Sequence, residues 1–458
     1  MIIKPGVDFT EINEKFVKLS ENAFDEKVRV FANGKECTVF SSTNCYFARV
    51  FGDDFSDVEV EYCDDISSAC IAPLRYKREI TFSGKRANFK VKCGDYISVE
   101  FNGNIAKPVF IFADRKKELN DYNNCTVIKY DDNKIYDAGT LYPESNTVLY
   151  IGENAIVRGK TRAECADNIK IISNGIFIAD ETNKRTMMFY KCKNIKIEGN
   201  VTVGRGSWVT VFYECDNVFI EDYKVIGDIM CSDGIDICCT GNVYVHHYFT
   251  RNEDDCLCIK THTQTKNGSD DSSQKEISGD VKNVYVSDCV LFCGIRGNGI
   301  EIGYELMNSV VSNVVFRNVD VIHRGTRSEK FNRSVISIHN AGNATVKDVL
   351  FENVSAQYTE ENFIHVVPIC KKIWGSGRGK MENITFRNIE LIGGYDAPSK
   401  ISRIPINMDD DRDLSDDKAE VSNIVFENVK YKGTWLDSAE TARKCGFEID
   451  NDIDVKFM

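Results

Sequence analysis

Two periodicities divide the chain. Up to about residue 115, apolar and polar positions alternate in short runs at 27–31, 57–62, 86–92 and 96–101. A period of two with turn residues between the runs predicts antiparallel strands with one wet face. Asn102-Gly103 marks a tight turn. Residues 1–115 are therefore read as an N-terminal β-sandwich domain, and the charged and polar stretch 115–124 as a connector.

From about residue 125 another pattern takes over. Asn, an apolar residue, any residue and a second apolar residue recur at Asn194, Asn217, Asn242, Asn283, Asn313, Asn383 and Asn423, with Asp348 as a degenerate copy. The first five copies are spaced 23, 25, 41 and 30 residues apart. A base period in the low twenties with loop insertions is the mark of a solenoid. The repeat is too short for helix pairs and too rich in Val, Ile and Phe for helices. The expected fold is all-β: a right-handed parallel β-helix over 116–458, its coils stacked about 4.8 Å apart. The recurring Asn is expected to stack on its neighbours and satisfy the turn, a structural role. Polar excursions at 261–279, 323–333 and 366–380 interrupt the period. Insertions of this kind tend to line one face of a solenoid.

Composition narrows the function. The net charge of −13 argues against nucleic-acid binding, which needs a basic surface, and disfavours a strongly anionic substrate. The opening residues show no secretory pattern, so a cytoplasmic location is expected. No run approaches the roughly 18 apolar residues of a membrane span, and no membrane association is expected. In a reducing compartment the 18 cysteines, many inside apolar runs, act as small buried hydrophobes. Cys256-x-Cys258 and Cys238-Cys239 lack zinc-ligand spacing. No metal and no cofactor are expected.

The candidate chemistry lies between Trp208 and Lys260. Asp233, in Ser232-Asp233-Gly234, and the pair Asp254-Asp255 are 21 residues apart, about one repeat. Stacked coils would place them on neighbouring rungs. Carboxyls so close cannot all ionise cheaply, and at least one should stay protonated. A protonated acid beside an ionised base suits hydrolysis of a glycosidic bond. Taken singly, Asp-Gly and Asp-Asp are ordinary turn residues. Further candidates surround them. Trp208, one coil before Asp233, could stack on a sugar or pack locally. Lys260 could keep a carboxylate ionised or bind substrate. Glu301 and Glu305 follow one motif later. Asp236, three residues after Asp233, would point the other way along a strand and is read as structural. His246 and His247 are read as packing residues.

The stretch from Gly206 to Lys260 resembles the polygalacturonase family, glycoside hydrolase family 28. Ser232-Asp233-Gly234 resembles its Asn-Thr-Asp-Gly motif, and Asp254-Asp255-Cys256-Leu257-Cys258-Ile259-Lys260 its Asp-Asp-Cys-Ile-Ala-Ile-Lys motif. Gly297-Asn298-Gly299-Ile300-Glu301-Ile302-Gly303 resembles its Gly-His-Gly-Ile-Ser-Ile-Gly motif. The resemblance implies a pectin-lyase-like β-helix and an inverting hydrolase. In it Asp254 would protonate the leaving oxygen, and Asp233 and Asp255 would hold and deprotonate the attacking water. The chain departs from the family in carrying Asn298 in place of the His. It also reads Arg333-Ser334-Val335 where an Arg-Ile-Lys carboxylate clamp is expected. A neutral sugar is thereby favoured over a uronide. The order of sandwich then β-helix is also similar to the family 49 dextranases and the family 110 α-galactosidases.

The expected function is thus an inverting glycoside hydrolase acting on oligo- or polysaccharides. Exo-type action follows from the 261–279 excursion beside the acidic pair. The expected substrate-binding residues are Trp208, Lys260, His262, Asn298 and Glu301, with His262 as a stand-in for the imidazole missing at 298. The alternatives are a polysaccharide lyase on the same fold and a non-catalytic carbohydrate-binding β-helix. Self-association into a homo-oligomer is compatible with either.

Overall fold

The computed structural model describes residues 7–8, 15–20, 23, 27–120, 122–180, 185–263, 277–325, 333–395, 399–410 and 413–458. The chain is a right-handed parallel β-helix preceded by two packed sheets. No helix among the described residues is long and apolar enough to cross a membrane.

The two sheets lie within residues 16–114, one of five strands and one of six. In the five-stranded sheet the sequence alternation survives: Phe55–Glu61 and Arg86–Lys92 bury every second side chain. In the six-stranded sheet it does not. Tyr96–Phe101 and Val109–Asp114 are buried at every position, so the expected wet face is absent here. One face packs on the five-stranded sheet through Val99, Val109 and Ile111. The other presents Phe47, Tyr96, Phe110 and Phe112 to Val203, Ile226, Phe249 and Phe292 of the β-helix. Aromatic side chains of this size supply most of the area buried at such a joint.

The β-helix is a 28-stranded sheet wound into coils of three faces. Face one runs from Thr126–Tyr130 to Val455–Phe457, within the span 116–458 expected for the β-helix. Val7–Asp8, far upstream in sequence, pairs antiparallel with Lys134 and Ile135 at the first coil. The N-terminal end of the sheet is thereby covered by a paired strand. The interior holds ladders of like side chains. Phe316, Phe351, Phe386, Phe426 and Phe457 stack ring on ring with centroids 5.2–5.4 Å apart.

The recurring Asn forms a ladder, through its side chain rather than the turn backbone alone. Asn194, Asn217, Asn283, Asn313, Asn383 and Asn423 each donate Nδ2–H to the Oδ1 of the residue one coil below, at 2.6–3.0 Å. Each adopts φ between 52° and 61°, a left-handed conformation that Asn tolerates well. A second ladder lies five positions later, at Asn318, Asn353, Asn388 and Asn428. In the coils beneath the sandwich the same corner holds Asp222 and His247 instead. These two bond to each other, while His247 Nε2 lies 2.7 Å from the Gly94 carbonyl and its ring stacks on Tyr96 at 3.9 Å. The ladder residue changes where a partner sheet must be bound.

Candidate active site

Face three carries the chemistry. Its strands are Thr210–Tyr213, Ile235–Cys238, Leu257–Lys260, Ile300–Tyr304, Ser334–Asn340 and Asn362–Cys370. Ile235, Ile237, Leu257, Ile259, Ile300, Ile302, Ile336 and Ile338 point inward to the core. The alternate positions form outward rows. One row runs Val211, Asp236, Cys258, Glu301, Ser337, His365 in register across six coils.

The turn entering this face holds the acidic residues. The Gly234 N–H donates to the Asp255 carbonyl at 2.8 Å, and the Val209 N–H donates to the Asp233 carbonyl at 2.9 Å. Asp233 and Asp255, 22 residues apart, therefore stand on adjacent rungs, one position later than the 21-residue interval to Asp254 suggests. The coil above closes directly on the pair: a Cβ added to Gly297 would lie 1.8 Å from the Asp254 carbonyl carbon. Glycine is required there by close approach, not by backbone angle. Asn252 donates to both the Asp254 and Asp255 carbonyls, at 2.6 and 2.8 Å.

Each carboxyl has a distinct environment. Asp255 Oδ1 accepts from the Asn298 backbone N–H at 2.7 Å and from its side-chain amide at 2.9 Å. The Asn298 Oδ1 accepts from the Ser334 N–H at 2.8 Å. This amide, buried and engaged on both sides, is a clamp on Asp255 rather than the substrate contact expected from the sequence. Asp254 keeps part of its surface in solvent. Enclosure and the neighbouring Asp255 push its carboxyl up to about 7, against the pull of Arg333 and Lys260. It is thus poised to hold a proton near neutrality.

Asp233 belongs to a buried trio. Lys260 Nζ lies 3.2 Å from Asp233 Oδ2 and 2.7 Å from Asp236 Oδ1. Asp236 is not a turned-away structural residue: the strand begins only at Ile235, so the turn at Gly234 brings Asp233 and Asp236 to the same ammonium. Burial lifts Asp236 to about 6, opposed by Lys260. Burial and then Asp236 raise Asp233 well above the usual carboxylate range. Burial alone would lower Lys260, but Asp236, Cys258 and Asp233 hold it above its ordinary value and keep it charged. One cation between two buried carboxyls favours retention of a proton by the trio. The Lys260 ammonium also lies 4.0 Å from the centre of the Trp208 ring. Trp208 is half-buried, with φ of 53°, and packs on Val211, Tyr213 and Cys238, so one of its partners is the lysine itself.

The remaining candidates lie elsewhere. Glu301 is fully buried, and its Oε2 accepts from Ser337 and faces His339 Nδ1 at 2.9 Å. It has no surface to offer a sugar, so the expected direct contact is replaced by a buried chain. His339 Nε2 lies 2.8 Å from His365 Nδ1. Burial and then His339 push the second imidazole well below its ordinary value. His262 is buried at the base of the excursion, its N–H donating to the Glu305 carbonyl at 3.1 Å. The excursion itself, from which exo-type action is expected, falls outside the described residues over 264–276. Tyr304 stacks on His339 at 4.6 Å and meets Trp374 in a tilted contact at 4.7 Å. His339, His365 and Tyr304 are not among the residues expected from the sequence. The signal for the first two is the apolar-x-apolar triplet of each coil, Ile336-Ser337-Ile338 followed by His339 and Ile364-His365-Val366, whose alternate positions form the outward rows. Among the described residues no group of three or more His, Cys, Asp or Glu is arranged to hold a metal ion.

No family model matches the chain, and no curated protein matches it in sequence. Solved structures do match. The chain is similar to Dex49A from Penicillium minioluteum, with a TM-score of 0.58 at 13% identity over 99% of this chain and 96% of that one. It is also similar to the polygalacturonase from Erwinia carotovora ssp. carotovora, with a TM-score of 0.51 at 13% identity over 74% of this chain and 98% of that one. At this identity the likeness is one of fold.

Proposed function

We propose that the chain is an inverting glycoside hydrolase. The observation that carries the reading is the placement of Asp233 and Asp255 on adjacent rungs, beside an Asp254 whose carboxyl is pushed up to about 7. Asp254 supplies the proton to the leaving oxygen. Asp255, oriented by its two donors from Asn298, takes the proton of the attacking water. Asp233 hydrogen-bonds the same water from the rung below. The fold shared with a polygalacturonase supports the class of reaction. Inversion needs acid and base about 6.5–9.5 Å apart, with room for the water between them.

The substrate class follows from the cations. Lys260 is committed to Asp233 and Asp236, and Arg324 to Glu361 and the Gly297 carbonyl. Arg333 directs a guanidinium N–H to the Ile295 carbonyl, and its backbone N–H donates to Glu361. With these groups engaged by the protein, a neutral glycoside suits the cleft better than a uronide. Exo-type release of terminal sugars is part of the proposal on the sequence pattern of the excursion; internal cuts in a product profile would remove it.

The test is a panel of aryl-glycosides and oligosaccharides, with glucosides, galactosides and galacturonides side by side, assayed with and without a chelator. Hydrolysis of a neutral member in both conditions is expected. Activity should fall as pH rises through about 7, because the acid must be protonated and its raised carboxyl loses the proton there. An unsaturated, ultraviolet-absorbing product would assign a lyase instead. Retention of full activity with no alkaline limb would remove Asp254 from the role of acid.

A further inference from the structure

The sandwich reaches the acidic cleft at one turn. Ser42 and Cys45 close it through the Ser42 N–H to the Cys45 carbonyl at 2.9 Å, and Ser42 Oγ donates to Asn44 Oδ1 at 3.0 Å. The turn holds Asn44 rigidly, with its Nδ2 directed at the β-helix. That amide lies 2.9 Å from the Gly227 carbonyl and 3.3 Å from Glu253 Oε1. Beside it Thr43 Oγ1 donates to Asp228 Oδ2 at 3.2 Å. Gly227 and Asp228 open the loop that ends in Asp233, and Glu253 immediately precedes Asp254. One buried side chain from the sandwich thus grips both acidic segments.

Glu253 distributes that grip. Its carboxylate pairs with Arg251 at 2.8 Å and accepts from the Ile295 N–H at 3.0 Å. Its own N–H donates to Ser232 Oγ at 3.2 Å, next to Asp233, and its carbonyl accepts from the Arg296 N–H at 3.0 Å. There is no slack around it: a Cβ added to Gly294 would lie 2.2 Å from Glu253 Oε2, and one added to Gly227 would lie 2.5 Å from Ser232 Oγ. A shift of Glu253 therefore moves the rungs below and above it together.

We infer that Asn44 is a positioning residue for the acidic cleft, setting the placement of Asp254 relative to Asp233 through Glu253 and Gly227; its effect on turnover rests on the hydrolase reading above. The sandwich is then a working part of the catalytic unit. Misplacement of reacting groups by about 1 Å can cost on the order of a hundredfold in rate.

Asn44→Ala and Asn44→Asp in the full chain test this, with Gln357→Ala as the control. Gln357 accepts the Leu74 N–H at 2.6 Å, a solvent-exposed contact between sandwich and β-helix three coils away from Glu253. Hydrogen exchange read by mass spectrometry should accelerate in 228–234 and 252–256 for both Asn44 variants and stay unchanged there for Gln357→Ala. On the aryl-glycoside that the wild type cleaves, kcat should fall about tenfold or more for Asn44→Ala, with KM within about twofold. Asn44→Asp, which sets a carboxylate against Glu253, should fall further. Unchanged exchange in both segments would overturn the inference, as would the same acceleration in Gln357→Ala, or loosened segments with unchanged kcat. If the wild type cleaves no glycoside, the hydrolase reading falls and the exchange data alone decide the positioning.

Discussion

Asp254→Asn lowers the turnover of an unactivated disaccharide by about a thousandfold, within the range for loss of a positioned general acid. The loss should depend on the leaving group. A dinitrophenyl glycoside expels an anion that needs no proton, so the same variant should lose far less on it. Asp255→Asn, which removes the proton acceptor, should impair both substrates alike. Stability gives a second signature. The raised Asp254 carboxyl binds its proton more tightly in the folded than in the unfolded chain, so the wild type loses stability as pH rises from about 4 towards about 7. The asparagine carries no such liability, and Asp254→Asn should unfold no earlier than the wild type at pH 8. Equal losses on both substrates, or a variant that unfolds early, would point to damage to the site rather than loss of an acid.

Lys260→Met is expected to have the largest effect on stability. Lys260 is buried between Asp233 and Asp236, each almost wholly removed from water. Removing one member of a buried ion cluster costs about 3–5 kcal/mol, because the partners must either stay charged without a counterion or take up a proton. The cost should vary with pH. Asp236 stands at about 6 even with the ammonium beside it, and loss of the lysine raises both carboxyls further. Groups whose folded value exceeds their unfolded value favour folding in acid, and that advantage is lost as pH rises through the folded value. The gap in melting temperature between variant and wild type should be narrow at pH 5 and wide at pH 8. A gap independent of pH would show that the methionine perturbs packing alone. Catalysis should fall as well, since Asp233 loses the ammonium that fixes it where it hydrogen-bonds the attacking water.

Much of this architecture was legible in local sequence because a solenoid repeats its physics. The Asn at 194, 217, 283 and 313 recurs because each coil must turn left-handed at the same corner and bond to the coil below. The 21-residue interval from Asp233 to Asp254 becomes a rung because it is close to one coil. What local sequence hides is what crosses coils or domains. His339 and His365 come to Glu301 only through stacking, and Asp236 joins Asp233 only because the strand starts after the Gly234 turn. Full burial of Tyr96–Phe101 comes from docking on the β-helix, although its alternation reads as half-wet. Asn44 lies 209 positions from Glu253, and nothing around it in sequence marks the contact.

The stereochemistry of the first product tests the central claim most directly. Proton NMR of the anomeric signal, recorded in the first minutes of hydrolysis before mutarotation, should show a configuration opposite to that of the substrate. Asp254 delivers the proton while Asp255 and Asp233 direct water to the opposite face of the sugar ring. A first product of unchanged configuration would contradict the account, because it requires a carboxylate to bond to the sugar where this arrangement places water.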